Sequence, residues 1–477
     1  MTRKDFLLAS AAVLTGCGEI PPELRPSLRK LQPESEPFPT PTADTVDLTS
    51  HALNRLAFGP RASDYGRVSH LGIDAYIDEQ LNPETLDDAA LDHAIRRIEV
   101  LSEPAGELFE YKDRILLKEL TRATLLRAVW SKRQLYERMV HFWTDHFNID
   151  SSKGDCKWLK AADDRDVVRR HALGSFPELL RASALSPAML WYLDGRVNRK
   201  QEGASKPNEN YARELLELHT LGVHGGYTQQ DVMEVARCLT GWTVRSAGQF
   251  RKGQVEFHPN LHDDNAKLVL RQAIPAGLGE RDLEGVLEII ALHPSTATRI
   301  AEKLCRHFIA DDPPEEATVA VRDSFLANRG QIRPTLRTLF HTDEFRAARR
   351  SKIKRPFEFV ASALRATQAD TEGSALLDYL VRMGNAPFQY PTPEGYPDAG
   401  EHWMGTLLWR WKFAVALSHN EIPGTSVNLK ACIEDCHGDA GFAAHILGRR
   451  PQPEETAAES PENRLALLLA SPEFQRC

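Results

Sequence analysis

Apolar residues in this chain recur at three- and four-residue spacing from Leu53 almost to the C-terminus, and two-residue alternation is scarce. That period constrains the fold more than any other feature. An α-helix places positions i, i+3, i+4 and i+7 on one face, whereas a half-buried strand needs strict alternation. The pattern predicts a mainly α fold, an array of antiparallel helix pairs with long irregular loops and at most a small β-hairpin. Helices are predicted at 53–58, 63–80 (interrupted at Gly72), 108–131, 135–147, 164–173, 176–184, 208–221 and 229–239. Further ones are predicted at 281–292, 295–309, 315–328, 333–340, 353–368, 405–418 and 461–470. Gly59-Pro60 stops the first. The hairpin candidate is Gln249 to Phe257. Residues 384–400 carry Pro387, Pro391, Pro393 and Pro397 and read as an irregular loop.

The N-terminus has a different character. Arg3 and Lys4 precede a short apolar run from Phe6 to Leu14. A membrane-spanning helix needs about 20 apolar residues, whereas a signal-peptide core needs roughly 7–15. Arg3-Lys4-Asp5-Phe6-Leu7 is similar to a twin-arginine signal with lysine in the second place, so the export route stays open. The run ends Leu14-Thr15-Gly16-Cys17, which looks like a lipobox with Cys17 as the lipid attachment site. An ordinary signal peptide is the alternative. Pro21, Pro22, Pro26, Pro33, Pro37, Pro39 and Pro41 then read as a semi-extended tether. The chain therefore divides into a signal peptide with lipobox at 1–17, a proline-rich tether at 18–47 and a single large helical domain at 48–477. The expected address is the cell envelope, with membrane anchoring through the lipid.

Of the 477 residues, 42% are hydrophobic, enough for a sizeable core, and the net charge of −8 argues against a nucleic-acid partner. Six cysteines remain beyond Cys17; the closest pair, Cys432 and Cys436, reads as two free thiols or one local disulfide. The chain has neither a Gly-x-Ser-x-Gly elbow nor a phosphate-binding Gly-rich loop.

The helical hairpin at 208–239 carries the densest signals. Asn208 is placed to cap its first helix, and Thr228 with Asp231 forms a capping-box pattern at the second. Glu209, Arg213 and Glu217 lie at i, i+4 spacing and read as surface pairs. Glu214 has no lysine or arginine one turn away on its own face, which suits a metal ligand or a carboxyl of raised pKa. His219 reads as a hydrogen-bonded core histidine. In 138–148, His146 falls in the stripe of Leu135, Met139 and Phe142, while His141 and Asp145 share the adjoining face at i, i+4. That spacing suits one metal, or a carboxylate orienting an imidazole. A loop cluster holds His258, His262, Asp263, Asp264 and Lys267. If the three clusters converge, His141, His146, Glu214, His262 and Asp263 form a divalent-metal site, with Glu214, His146 and His262 as catalytic candidates. Core packing of the histidines is the alternative.

The string Pro207-Asn208-Glu209-Asn210-Tyr211-Ala212-Arg213-Glu214-Leu215-Leu216-Glu217-Leu218-His219-Thr220-Leu221-Gly222, with Gly226-Tyr227-Thr228 and Leu239-Thr240-Gly241-Trp242, resembles the bacterial domain-of-unknown-function 1800 family. Leu53-Asn54-Arg55, Phe58-Gly59-Pro60, Phe142-Trp143, His146-Phe147, His262-Asp263 with Lys267, Lys354-Arg355-Pro356, Gly395-Tyr396-Pro397 and Ala470-Ser471-Pro472-Glu473-Phe474 agree with it. The resemblance covers about residues 48–477. It implies export and a partner, an exported sulfatase-like protein of the domain-of-unknown-function 1501 family, but no reaction. Two readings follow. One is a cell-envelope binding or assembly protein for that partner, using the aromatic-rich loop Phe388 to Trp403. The other is a metal-dependent hydrolase acting on a surface polymer. Whether the chain is an enzyme stays open at this point.

The lipobox makes a direct prediction. Cells fed radiolabelled palmitate should incorporate label into the wild-type chain and not into Cys17→Ser. Label retained in the variant removes the lipid anchor.

Overall fold

A computed structural model of the chain describes residues 37–200, 206–246, 248, 250–457 and 460–477. Cys17, the signal segment and Gln249 lie outside them. The fold is mainly α, and its strands form three two-stranded antiparallel sheets. The predicted hairpin arm contributes Val255–Phe257, which pairs with Trp242–Val244. Residues 37–47, the end of the expected tether, lie against the domain: Phe38 is buried beside Tyr65 and His445.

Helix boundaries follow local chemistry. The predicted 63–80 helix is two helices, Ala62–Leu71 and Ile73–Leu81, divided at Gly72 with φ +87°. The left-handed backbone there suits glycine and breaks the hydrogen-bond ladder. Thr228 accepts from the Asp231 amide, and the capping box is complete at Gln229–Cys238. Proline in the first turn starts Pro294–Phe308, Pro356–Ala366 and Pro461–Ala470. The region expected to be helical from 164 begins earlier, at Cys156–Asp163, and widens into a π-turn at Asp164–Arg169. In that i, i+5 register the Arg169 Nε reaches Asp164 at 2.8 Å, and the guanidinium also grips Glu137 at 3.0 Å. Period alone carries no sign of such a bulge.

Two helices form the centre. Gln134–His146 is buried on nearly every side, and every residue of Pro356–Ala366 is buried. Asp113–Trp130 packs against both. Around them Pro294–Phe308, Glu315–Ala327 and Ile332–Phe340 pack as successive neighbours, the expected helix-pair pattern. All six described cysteines are buried, Cys432 and Cys436 included, and pack as small side chains, with the Cys432 thiol donating to the Thr367 carbonyl at 3.0 Å. Burial pushes the Cys156, Cys238, Cys305 and Cys436 thiols up to about 12.

Histidine is the unusual core component. His51, His141, His146, His219, His307 and His445 are all buried. Burial lowers His51 and His219 from 6.5 to about 3, and His307 and His445 to about 4. An unfolded imidazole takes its proton near 6.5, and a folded one of these does so only far below it. Their stability contribution is therefore full above pH 6.5 and is lost as pH falls towards 4, by up to about 2 kcal/mol per imidazole at pH 5. The urea midpoint should drop between pH 7 and pH 5. A flat midpoint over that interval contradicts a core of neutral imidazoles.

Candidate functional site

Four of the five residues expected to converge on a metal have separate partners. His141 Nδ1 accepts from Arg355 Nη2 at 2.6 Å, and Asp145 Oδ2 accepts from Arg355 Nη1 at 2.6 Å. The i, i+4 pair expected to share a metal is thus bridged by a guanidinium, and His141 stacks on Phe357 at 4.9 Å. His146 Nε2 donates to the His219 carbonyl at 3.1 Å amid Phe142, Trp143, Phe147 and Phe176. His262 faces Asp282 at 3.1 Å and bonds the Thr240 carbonyl at 2.9 Å; Lys267 also reaches Asp282. Asp263 pairs with Arg237 at 2.7 Å, and its hydrogen bonds, outweighing burial, hold it at about 2. This second cluster ties Gln229–Cys238 to Arg281–Ala291. Among the described residues no group of three or more His, Cys, Asp or Glu is placed to hold a metal. The five are therefore apart in this arrangement: His141 and Asp145 meet Arg355, and His262 meets Asp282.

Glu214 is the exception. Its half-buried carboxylate has no hydrogen-bond or ion-pair partner among the described residues. Loss of solvent raises its pKa, and the Glu217 and Glu394 charges raise it further. Arg213 pairs with Glu209 at 3.3 Å instead. His219 is buried as expected, yet its Nε2 has no partner.

Several strings that carry the resemblance do meet, though around different residues. Gly395, at φ +76°, lies so close to the Asp145 carbonyl that a Cβ would fall on it. The 384–400 loop is thereby pressed onto the end of Gln134–His146. Asn148 Nδ2 donates to the Tyr390 and Thr392 carbonyls at 2.9 and 2.7 Å. Phe388 and Trp403 are buried, while Tyr390 and Tyr396 are half-buried. Beneath it, Arg355 also lies 3.7 Å from Glu358 and 4.0 Å from Asp398, and Glu358 takes Arg138 at 2.6 Å. A cavity of about 20 Å³ beside His141, Asp145 and Tyr396 has room for one water.

Helix Pro294–Phe308 closes the arrangement. Arg299, Lys303 and His307 are four residues apart and share one face. Arg299 Nε donates to the Leu218 carbonyl at 3.2 Å, and His307 lies 3.4 Å from Asp398. Lys303, between them, is half-buried and has no bonded partner among the described residues. Burial lowers its amine to about 8; Arg299 adds to this, while Asp398 and Asp145 oppose it. The sequence reading missed Lys303, Asp398 and His307. The basic stripe on an otherwise amphipathic helix was the available signal. A larger open groove of about 890 Å³, lined by Thr228, Asp231, Glu234, Arg237 and Arg271, has its carboxylates already bonded within the fold.

No curated protein and no solved structure matches the chain. The model of the protein family of unknown function DUF1800 matches residues 51–476, nearly all of the described domain, and the chain belongs to that family.

Proposed function

We propose that this chain is an exported cell-envelope lipoprotein, held at a membrane through Cys17, that binds and assembles with an exported sulfatase-like protein of the domain-of-unknown-function 1501 family. Lys303 carries the reading. Around it Arg355 is engaged with Asp145 and His141, Arg138 with Glu358, and Asp398 with His307, while Arg299 one turn away bonds the Leu218 carbonyl. The half-buried Lys303 ammonium has no acceptor among the described residues where the family's strings meet. An anionic side chain from a partner would complete the network. A charge-assisted hydrogen bond contributes about 1.5–3 kcal/mol, and 1.4 kcal/mol is tenfold in affinity.

The second reading, a metal-dependent hydrolase of a surface polymer, has one observation in its favour: the raised, unpartnered carboxyl of Glu214 beside Glu217 and Glu394. In that case Glu214 would ligate the ion or serve as general base to its water.

Purified wild-type chain should capture the sulfatase-like partner, and Lys303→Met should weaken capture about tenfold with little change in urea midpoint. Equal capture by both sinks the binding reading. Stoichiometric metal in protein made without a histidine tag, lost in Glu214→Ala, would move the assignment to the hydrolase.

A further inference from the structure

Exposed apolar side chains are concentrated in one place. Of the thirteen exposed large hydrophobic residues among those described, five are Met404, Leu407, Leu408, Trp411 and Val415, with exposures from 43% to 63%. Single exposed apolar residues are ordinary on a protein surface; contiguous patches mark interaction sites. At about 100° per residue the four on helix Leu407–Ser418 fall within a single arc of roughly 100°, and Met404 precedes them in the 3-10 helix Gly400–Thr406. Val381 adds a sixth at 51%, from helix Leu376–Arg382, which packs against Leu407–Ser418. The opposite side of Leu407–Ser418, with Phe413, Ala414 and Leu417, is buried in the domain. Apolar residues thus surround most of this helix, although one side faces solvent. Such a surface calls for a non-aqueous environment.

We infer that this face lies on the lipid surface of the membrane and forms a second contact beside the anchor. Three observations favour a bilayer. The face is wider than the two-position seam of a paired helix, since Leu407, Leu408, Trp411 and Val415 cover an arc of roughly 100°. Its edge is aromatic and cationic: half-buried Trp409 has Arg382 at 4.6 Å and Lys412 at 4.5 Å over its ring. Indole and basic groups beside an apolar face are the composition of interfacial helices. Asp378 takes the Arg382 charge at 2.6 Å, so apolar burial is the driving force and anionic lipid is not required. Finally, packed helices connect the tether's end to this face. Phe38 sits against His445 of helix Asp439–Leu447, which packs on Pro461–Ala470, which packs on Leu407–Ser418. The nineteen residues from 18 to 36 can span at most roughly 65 Å, so an anchor at Cys17 keeps this face within reach of the bilayer. The inference rests on the anchoring reading for that last step.

The test uses the full chain with Cys17→Ser, which has no lipid of its own, and neutral phosphatidylcholine vesicles. That chain should sediment with the vesicles. Adding Leu408→Glu and Trp411→Glu should lower the bound fraction about tenfold or more. Both sites are exposed, so circular dichroism and urea midpoint should stay those of the parent. A parent chain left in the supernatant, or a double variant that still sediments, overturns the inference. So does a dimer of the Cys17→Ser chain by light scattering that the double variant dissociates, because the face then belongs to a second copy. Palmitate labelling at Cys17 reports the anchor separately, and its failure leaves the vesicle result to decide the face.

Discussion

The buried guanidinium of Arg355 holds the centre of this protein together. Its side chain is 3% exposed, and its two terminal nitrogens bond Asp145 and His141 at 2.6 Å each. Glu358 and Asp398 complete the surrounding charge. Burying an ion is unfavourable unless its partners are placed well, and the planar fork of arginine suits two acceptors at once in a way that lysine does not. The surrounding anions keep Arg355 charged well above its ordinary range. In return Arg138 and Arg355 hold Glu358, and His307 and Arg355 hold Asp398, well below the usual carboxylate range despite burial. Asp145 goes the other way: its burial outweighs the pull of Arg355.

That network determines where chain segments can lie. It joins the end of Gln134–His146, the start of Pro356–Ala366, the 384–400 loop and Pro294–Phe308. Gly395 is needed because the loop must touch the Asp145 carbonyl, and its φ of +76° is one a side chain would strain. Neutral imidazoles fill the surrounding space as flat, half-polar packing units. Once these demands are met, the ammonium of Lys303, the carboxyl of Glu214 and the apolar face from Met404 to Val415 are left without partners among the described residues. The proposed partner and the inferred membrane contact are the complements that the ammonium and the apolar face need.

Much of the fold was legible locally. Gly72 interrupted a helix as expected, and Thr228 and Asp231 capped as their spacing implied, whereas Pro356 opened a helix that the period had started at 353. The helices the period missed are mostly short, such as Ala89–Arg96, Pro187–Tyr192 and Leu429–Asp435. Two turns of helix give too few repeats to reveal a face. Asp439–Leu447 is apolar on nearly all sides and so has no face to read. At the site, the spacing of His141 and Asp145 suggested a shared metal or a carboxylate orienting an imidazole, whereas both side chains meet Arg355. It could not say so, because Arg355 lies 210 residues from Asp145.

The amino-acid sequence alone determined the helical class, the extent of the family match and the isolation of Glu214 on its own helix face. These are local or near-local properties, set by period, capping and one-turn neighbours. Tertiary structure alone decided that His146 meets His219, that a guanidinium bridges His141 and Asp145, and that Lys303 has no bonded partner among the described residues. Each of those outcomes depends on which charges from distant segments are buried together. Burial energy and ion pairing act through space, and no spacing rule along a chain encodes them.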